Sequence, residues 1–121
     1  MLPLAYREYY QAFLETLKQF QQSLNETDTD FTVLSSIFSQ LQEQFQQNIM
    51  SLTGEALSGE TLSRWQSSQT EIHRTMRLLQ TDMMFLKTSR STDTSQHRLA
   101  TVRDRVGKLI EFAATLTQHD N

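Results

Sequence analysis

Residues 59–88 read GETLSRWQSSQTEIHRTMRLLQTDMMFLKT, and this stretch decides the fold. Leu62, Trp65, Gln69, Ile72, Met76, Leu79, Met83 and Leu86 follow one another at steps of three or four residues, and Gln69 is the single polar member. Such steps return to one side of an α-helix, whereas a half-buried strand needs apolar side chains at alternate positions. No Gly or Pro interrupts the run from Glu60 to Thr88. A helix of that length extends about 45 Å at 1.5 Å per residue. With one apolar stripe and polar flanks, it has to bury the stripe against other helices.

The same spacing recurs three times. Tyr6, Tyr10, Phe13, Leu17, Phe20 and Leu24 form one stripe; Phe31, Leu34, Phe38, Leu41, Phe45, Asn48 and Leu52 form another; Leu99, Val102, Val106, Leu109, Ala113 and Leu116 form the last. Between them lie residues that stop and start helices. Asn25-Glu26-Thr27-Asp28-Thr29-Asp30 is rich in N-cap types, Gly54 can close the second helix, Ser58 or Gly59 precedes the third, and residues 88–94 offer several caps. The spacing predicts helices near 3–25, 30–53, 59–88 and 94–118 in a single domain of 121 residues. Short connections make neighbours antiparallel. The expected fold is all-α, an antiparallel four-helix bundle. The alternative is a dimer of long helical hairpins, which would bury the same stripes between two chains.

Composition agrees. Three Gly and one Pro are too few for the frequent turns of a sheet-rich fold. There is no Cys, so disulfides and thiolate metal sites are excluded. The opening Met1-Leu2-Pro3-Leu4-Ala5-Tyr6-Arg7 lacks the basic-then-apolar order of a secretory signal. No run approaches the ~20 apolar residues of a membrane span. The expectation is a cytoplasmic protein without membrane insertion. Net charge is −3, which speaks against generic nucleic-acid binding. The charge is uneven: residues 1–53 hold two basic and six acidic side chains, residues 54–121 nine basic and eight acidic. One face should therefore be more acidic than another, which bears on partner steering.

Residues that could carry chemistry are scattered. His73, His97 and His119 are far apart, and none has a His or carboxylate four positions on. The paired Glu-x-x-His pattern of di-metal bundles is missing, as is a Gly-rich phosphate loop. No metal, cofactor or catalytic residue is expected, and the reading is a protein without enzymatic activity. Asn48 and Gln69 interrupt the apolar stripes. Each either fixes the register of the bundle from inside or turns its amide to solvent; position favours the second for Asn48, while Gln69 is balanced. Asn25-Glu26-Thr27 matches a glycosylation sequon by chance. Trp65 and the Phe/Tyr-rich first two helices read as core; Met76, Met83 and Met84 suit either an adaptable binding groove or, since two of them are on the stripe, gap-filling core.

A further stripe is harder to absorb. Arg74, Leu78, Thr81 and Phe85 also follow at steps of three and four, but away from the Ile72–Met76–Leu79–Met83 side, and Arg77 flanks them. Apolar groups beside Arg on a face that a bundle leaves in water are characteristic of protein interfaces. Arg74, Arg77, Leu78 and Phe85 are the candidate partner-binding residues; self-association through them would give a homodimer. The rival reading is that a wide core face covers Leu78 and Phe85.

The stretch Gln66-Ser-Ser-Gln-Thr-Glu-Ile-His-Arg-Thr-Met-Arg-Leu-Leu-Gln-Thr-Asp-Met-Met-Phe-Leu-Lys-Thr-Ser-Arg90, followed by Thr94-Ser-Gln-His-Arg-Leu and Asp104-Arg-Val, resembles the cyanobacterial heterocyst frequency control (PatD) family. The opening Met1-Leu-Pro-Leu fits as well, and the likeness is strongest over residues 66–110. The resemblance implies a regulator of heterocyst differentiation in filamentous cyanobacteria that contacts the tubulin-like division protein FtsZ. It brings no residue-level motif to map onto this chain. A second functional expectation, independent of the resemblance, is a small helical export or secretion chaperone that binds an amphipathic peptide.

Overall fold

In the computed structural model, which describes residues 2–26 and 30–118, α1 spans Leu4–Leu24, α2 Phe31–Gln44, α3 Gly59–Thr88 and α4 Thr92–Thr117. A five-residue π-helical turn, Phe45–Ile49, extends α2. The described residues are 84% helical and contain no strand. Two of the four starts, those of α2 and α4, follow the capping rule. The Asp30 carboxylate accepts from the Thr32 N–H at 2.9 Å, and the Ser91 hydroxyl accepts from the Thr94 N–H at 3.1 Å. Each gives a partner to one of the amide donors that a helix leaves open at its N-terminus. His119 and the threonine of the sequon lie outside the described residues.

Side-chain pairs and short connections set the direction of the neighbours. Phe20 meets Phe38 edge-on at 6.3 Å, and Phe13 meets Phe45 at 6.3 Å, so α1 and α2 run antiparallel. Arg103, midway along α4, donates to the Leu24 carbonyl at the end of α1, at 2.9 Å. Asp82 late in α3 pairs with Arg105 midway along α4, at 2.9 Å, and the short connection from Thr88 to Thr92 turns α4 back along α3. The chain is therefore an antiparallel four-helix bundle. Close backbone packing runs in the order α2, α1, α4, α3. The four stripes meet inside one chain. Tyr10, Phe13, Leu17, Phe20, Leu24, Leu34, Leu41, Ile72, Leu79, Val102 and Leu109 are all withdrawn from solvent. No helix among the described residues is long and apolar enough to cross a membrane.

The second helix departs from expectation. It ends at Ile49, not at residue 53, because the Met50 N–H donates to the Phe45 carbonyl at 2.8 Å and closes a π-turn. Ile49 then takes the inward position that regular spacing assigned to Asn48, and Asn48 is left half-buried at the rim. Gly54 is not the residue that stops the helix. It sits five positions later, at φ +79°, in a loop that lays Leu57 onto the end of the core.

Candidate functional site

Buried polar groups collect at the end of the bundle where α1 and α3 begin. The Trp65 indole N–H donates to the Tyr10 hydroxyl at 2.8 Å, and that hydroxyl donates to the Gln69 amide oxygen at 2.5 Å. The Gln69 amide nitrogen donates in turn to the Ile49 carbonyl at 2.9 Å. Gln69 is thus an internal register device tying α1, α3 and the π-turn together. Nearby, the Gly54 N–H donates to the Tyr6 hydroxyl at 3.2 Å. Burial pushes the Tyr10 phenol far above its ordinary range, against the smaller opposing pull of the Trp65 hydrogen bond. Its hydroxyl is engaged as donor and acceptor and has no role open toward a ligand.

Asp82 is buried in α3, with Arg105 of α4 as its charge partner. Sequence reading missed this pair. The signal was present: Leu79, Asp82 and Leu86 also follow at +3 and +4, which widens the buried stripe by one row. Among the described residues no group of three or more His, Asp or Glu is arranged to hold a metal ion.

The candidate residues on α3 are exposed, but they are not one contiguous patch. Leu78 is 37% and Phe85 47% exposed. Both share a row with Asp82, at −4 and +3, so they lie on the α4 side of the outward face. The Arg98 guanidinium of α4 stands 4.5 Å over the Phe85 ring, a cation–π contact. Arg74 pairs with Glu71 at 3.2 Å. Arg77 points to the other side, toward α2.

There the bundle is open. α2 and α3 close the ring through side chains more than through backbone packing. His73 bridges them, its ring edge-on to Phe45 at 5.0 Å. On the upper side of this bridge is a hollow lined by Trp65, Gln69 and Thr70; below it a furrow continues past Gln42, Met76, Gln80 and Met83 to Met84 and Lys87. Burial, and then the neighbouring Arg77 charge, hold the His73 imidazole below its ordinary value of 6.5. Its neutral form therefore favours the fold above pH 6.5, and that contribution is lost as pH falls through the lowered folded value. An NMR titration should show the His73 ring protonating at a pH below 6.5; a midpoint at or above it would mean that the ring is not seated between α2 and α3.

Comparison with protein families, with curated proteins and with solved structures finds no match to this chain.

Proposed function

We propose that this chain is a non-catalytic regulatory module that binds another protein through the outward face of α3. The observation that carries the reading is Leu78 and Phe85, left partly exposed on a helix whose inward stripe is already complete. Apolar side chains flanked by Arg74, one turn from Leu78, and by Arg98, over the Phe85 ring, suit a partner surface that is itself apolar and acidic, through packing and charge-assisted hydrogen bonds. The family resemblance makes FtsZ the first partner to test and heterocyst differentiation, in the cyanobacterial cytoplasm, the process. Self-association through the same face is the competing occupant.

Calorimetry of purified protein with FtsZ, beside a melting curve for each variant, tests the proposal. Phe85→Ala should weaken binding by about 2 kcal/mol, as truncation of an anchor does, and leave the melting temperature nearly unchanged because an exposed ring adds little to the core. Arg74→Glu should slow association and flatten its salt dependence. Should Phe85→Ala melt much earlier yet bind normally once folded, Phe85 is a packing residue and this face is not the interface.

A further inference from the structure

We propose that the furrow between α2 and α3 is a docking groove for an acidic amphipathic helix of a partner protein. It rests on the reading that the chain works by binding protein, but uses a surface other than the Leu78–Phe85 face. Three features carry it.

The first is shape. The furrow is walled by two long helices and interrupts an otherwise closed ring of packing. From Arg77 to Lys87 it extends about 15 Å along α3, close to three turns of a docked helix. Amphipathic helices commonly lie in grooves of this kind with anchors at i, i+4 and i+7.

The second is the lining. Phe38, Phe45, Met76 and Met83 form an apolar floor, each less than a tenth exposed. Met50 and Met84 stand on opposite rims, 51% and 64% exposed. Unbranched, polarizable thioethers left in water on both sides of an apolar floor can repack around an incoming side chain.

The third is charge. On the α3 wall Arg77, Gln80, Met84 and Lys87 follow at +3, +4 and +3, so one row begins and ends on a cation. Among the described residues neither cation is ion-paired, and no Asp or Glu lines the furrow. The α2 wall contributes Ser35, Gln42 and Gln46, which are neutral hydrogen-bonding groups. In a chain of net charge −3, a furrow carrying only positive charge selects an anionic occupant. Two cations over an apolar floor suit an acidic helix better than a nucleic-acid backbone, whose affinity comes from many phosphate contacts.

The test uses a fluorescein-labelled 20-residue helical peptide with Leu at i, i+4, i+7 and i+11 and Glu on its other face, with a control in which Lys replaces every Glu. Fluorescence anisotropy should show the acidic peptide binding at least tenfold more tightly than the basic one. Met84→Asp with Lys87→Glu should weaken it at least tenfold, whereas Lys108→Glu on α4 should leave it unchanged. Because both furrow substitutions are at exposed positions, a melting curve is expected to report a folded variant. As a readout needing no variant, the Met50 and Met84 methyl resonances of the unaltered protein should shift on peptide addition. Equal affinity for the two peptides, equal loss in Lys108→Glu, or unmoved Met50 and Met84 methyls overturns the proposal. So does sedimentation showing a dimer that the double variant converts to monomer, since a second copy would then be the occupant. If the acidic peptide loses affinity for Phe85→Ala and not for the furrow double variant, this groove is overturned while the function proposed above stands.

Discussion

Tyr10→Phe is expected to lower the free energy of unfolding by about 2–5 kcal/mol, although it removes one oxygen atom from a 121-residue chain. The substitution fills nearly the same volume, so loss of packing is not the cause. The hydroxyl accepts from the Trp65 indole and donates to the Gln69 amide, and all three residues are buried. Phe leaves the indole N–H and the amide oxygen without a partner in a site withdrawn from water. Each orphan costs about 1–3 kcal/mol, more than the net value of the bond it loses. Denaturant titration measures the sum; a loss below about 1 kcal/mol would mean that water satisfies both groups. The double change Tyr10→Phe with Gln69→Leu should recover part of the loss, because removing both members of a buried pair costs less than removing one. The alkaline limb offers a second reading. The Tyr10 phenol is raised above its ordinary 10.0 by burial, so its contribution is complete below pH 10 and is lost as pH rises toward the folded value. Tyr10→Phe should accordingly remove part of the destabilisation seen above pH 10.

Gly54→Ala is expected to cost a similar amount, about 2–5 kcal/mol, for two reasons that add. At φ +79° an L-residue is in the left-handed region, a conformation about 1–2 kcal/mol unfavourable for any side chain with a Cβ. The new Cβ would also stand 2.7 Å from Cζ3 of Trp65 and 3.2 Å from Cε3. The indole cannot step aside without straining its hydrogen bond to Tyr10, so overpacking of about 1–3 kcal/mol follows. Gly107→Ala is the matched comparison. Gly107 lies in the interior of α4 with open space where its Cβ would be, and Ala there should stabilise by about 0.5–1 kcal/mol. Thermal melts of the two variants moving in opposite directions would bear this out. Equal small shifts would mean that the loop around Gly54 yields.

The bundle was readable because the driving force is one-dimensional along each helix. The four stripes are buried along most of their length, with Tyr6, Phe31, Leu52, Leu62 and Leu99 partly buried against the core, since a 3.6-residue period is a property of the chain alone. The outer residues Arg74, Arg77, Leu78 and Phe85 were also readable as exposed, because they are off that stripe. Their division between the α4 side and the α2 side was not. It depends on which helix packs on each flank of α3.

Local sequence therefore determined how many helices form, where three of the four begin and end, and which side of each faces inward. Tertiary structure decided everything that needed a partner. Whether Gln69 faced the core or solvent was settled by Tyr10, fifty-nine positions away, and Asp82 could be buried only because Arg105 arrives from α4. The second helix stops at Ile49 in a π-turn whose last carbonyl accepts from Gln69 of α3, and the loop that follows brings Gly54 against Trp65. The furrow beside Arg77 and Lys87 exists because α4 and α1 occupy the other flanks, leaving α2 and α3 to meet through side chains. Periodicity records which side of a helix is apolar; it carries no information about which neighbour covers that side, or about a gap where none does.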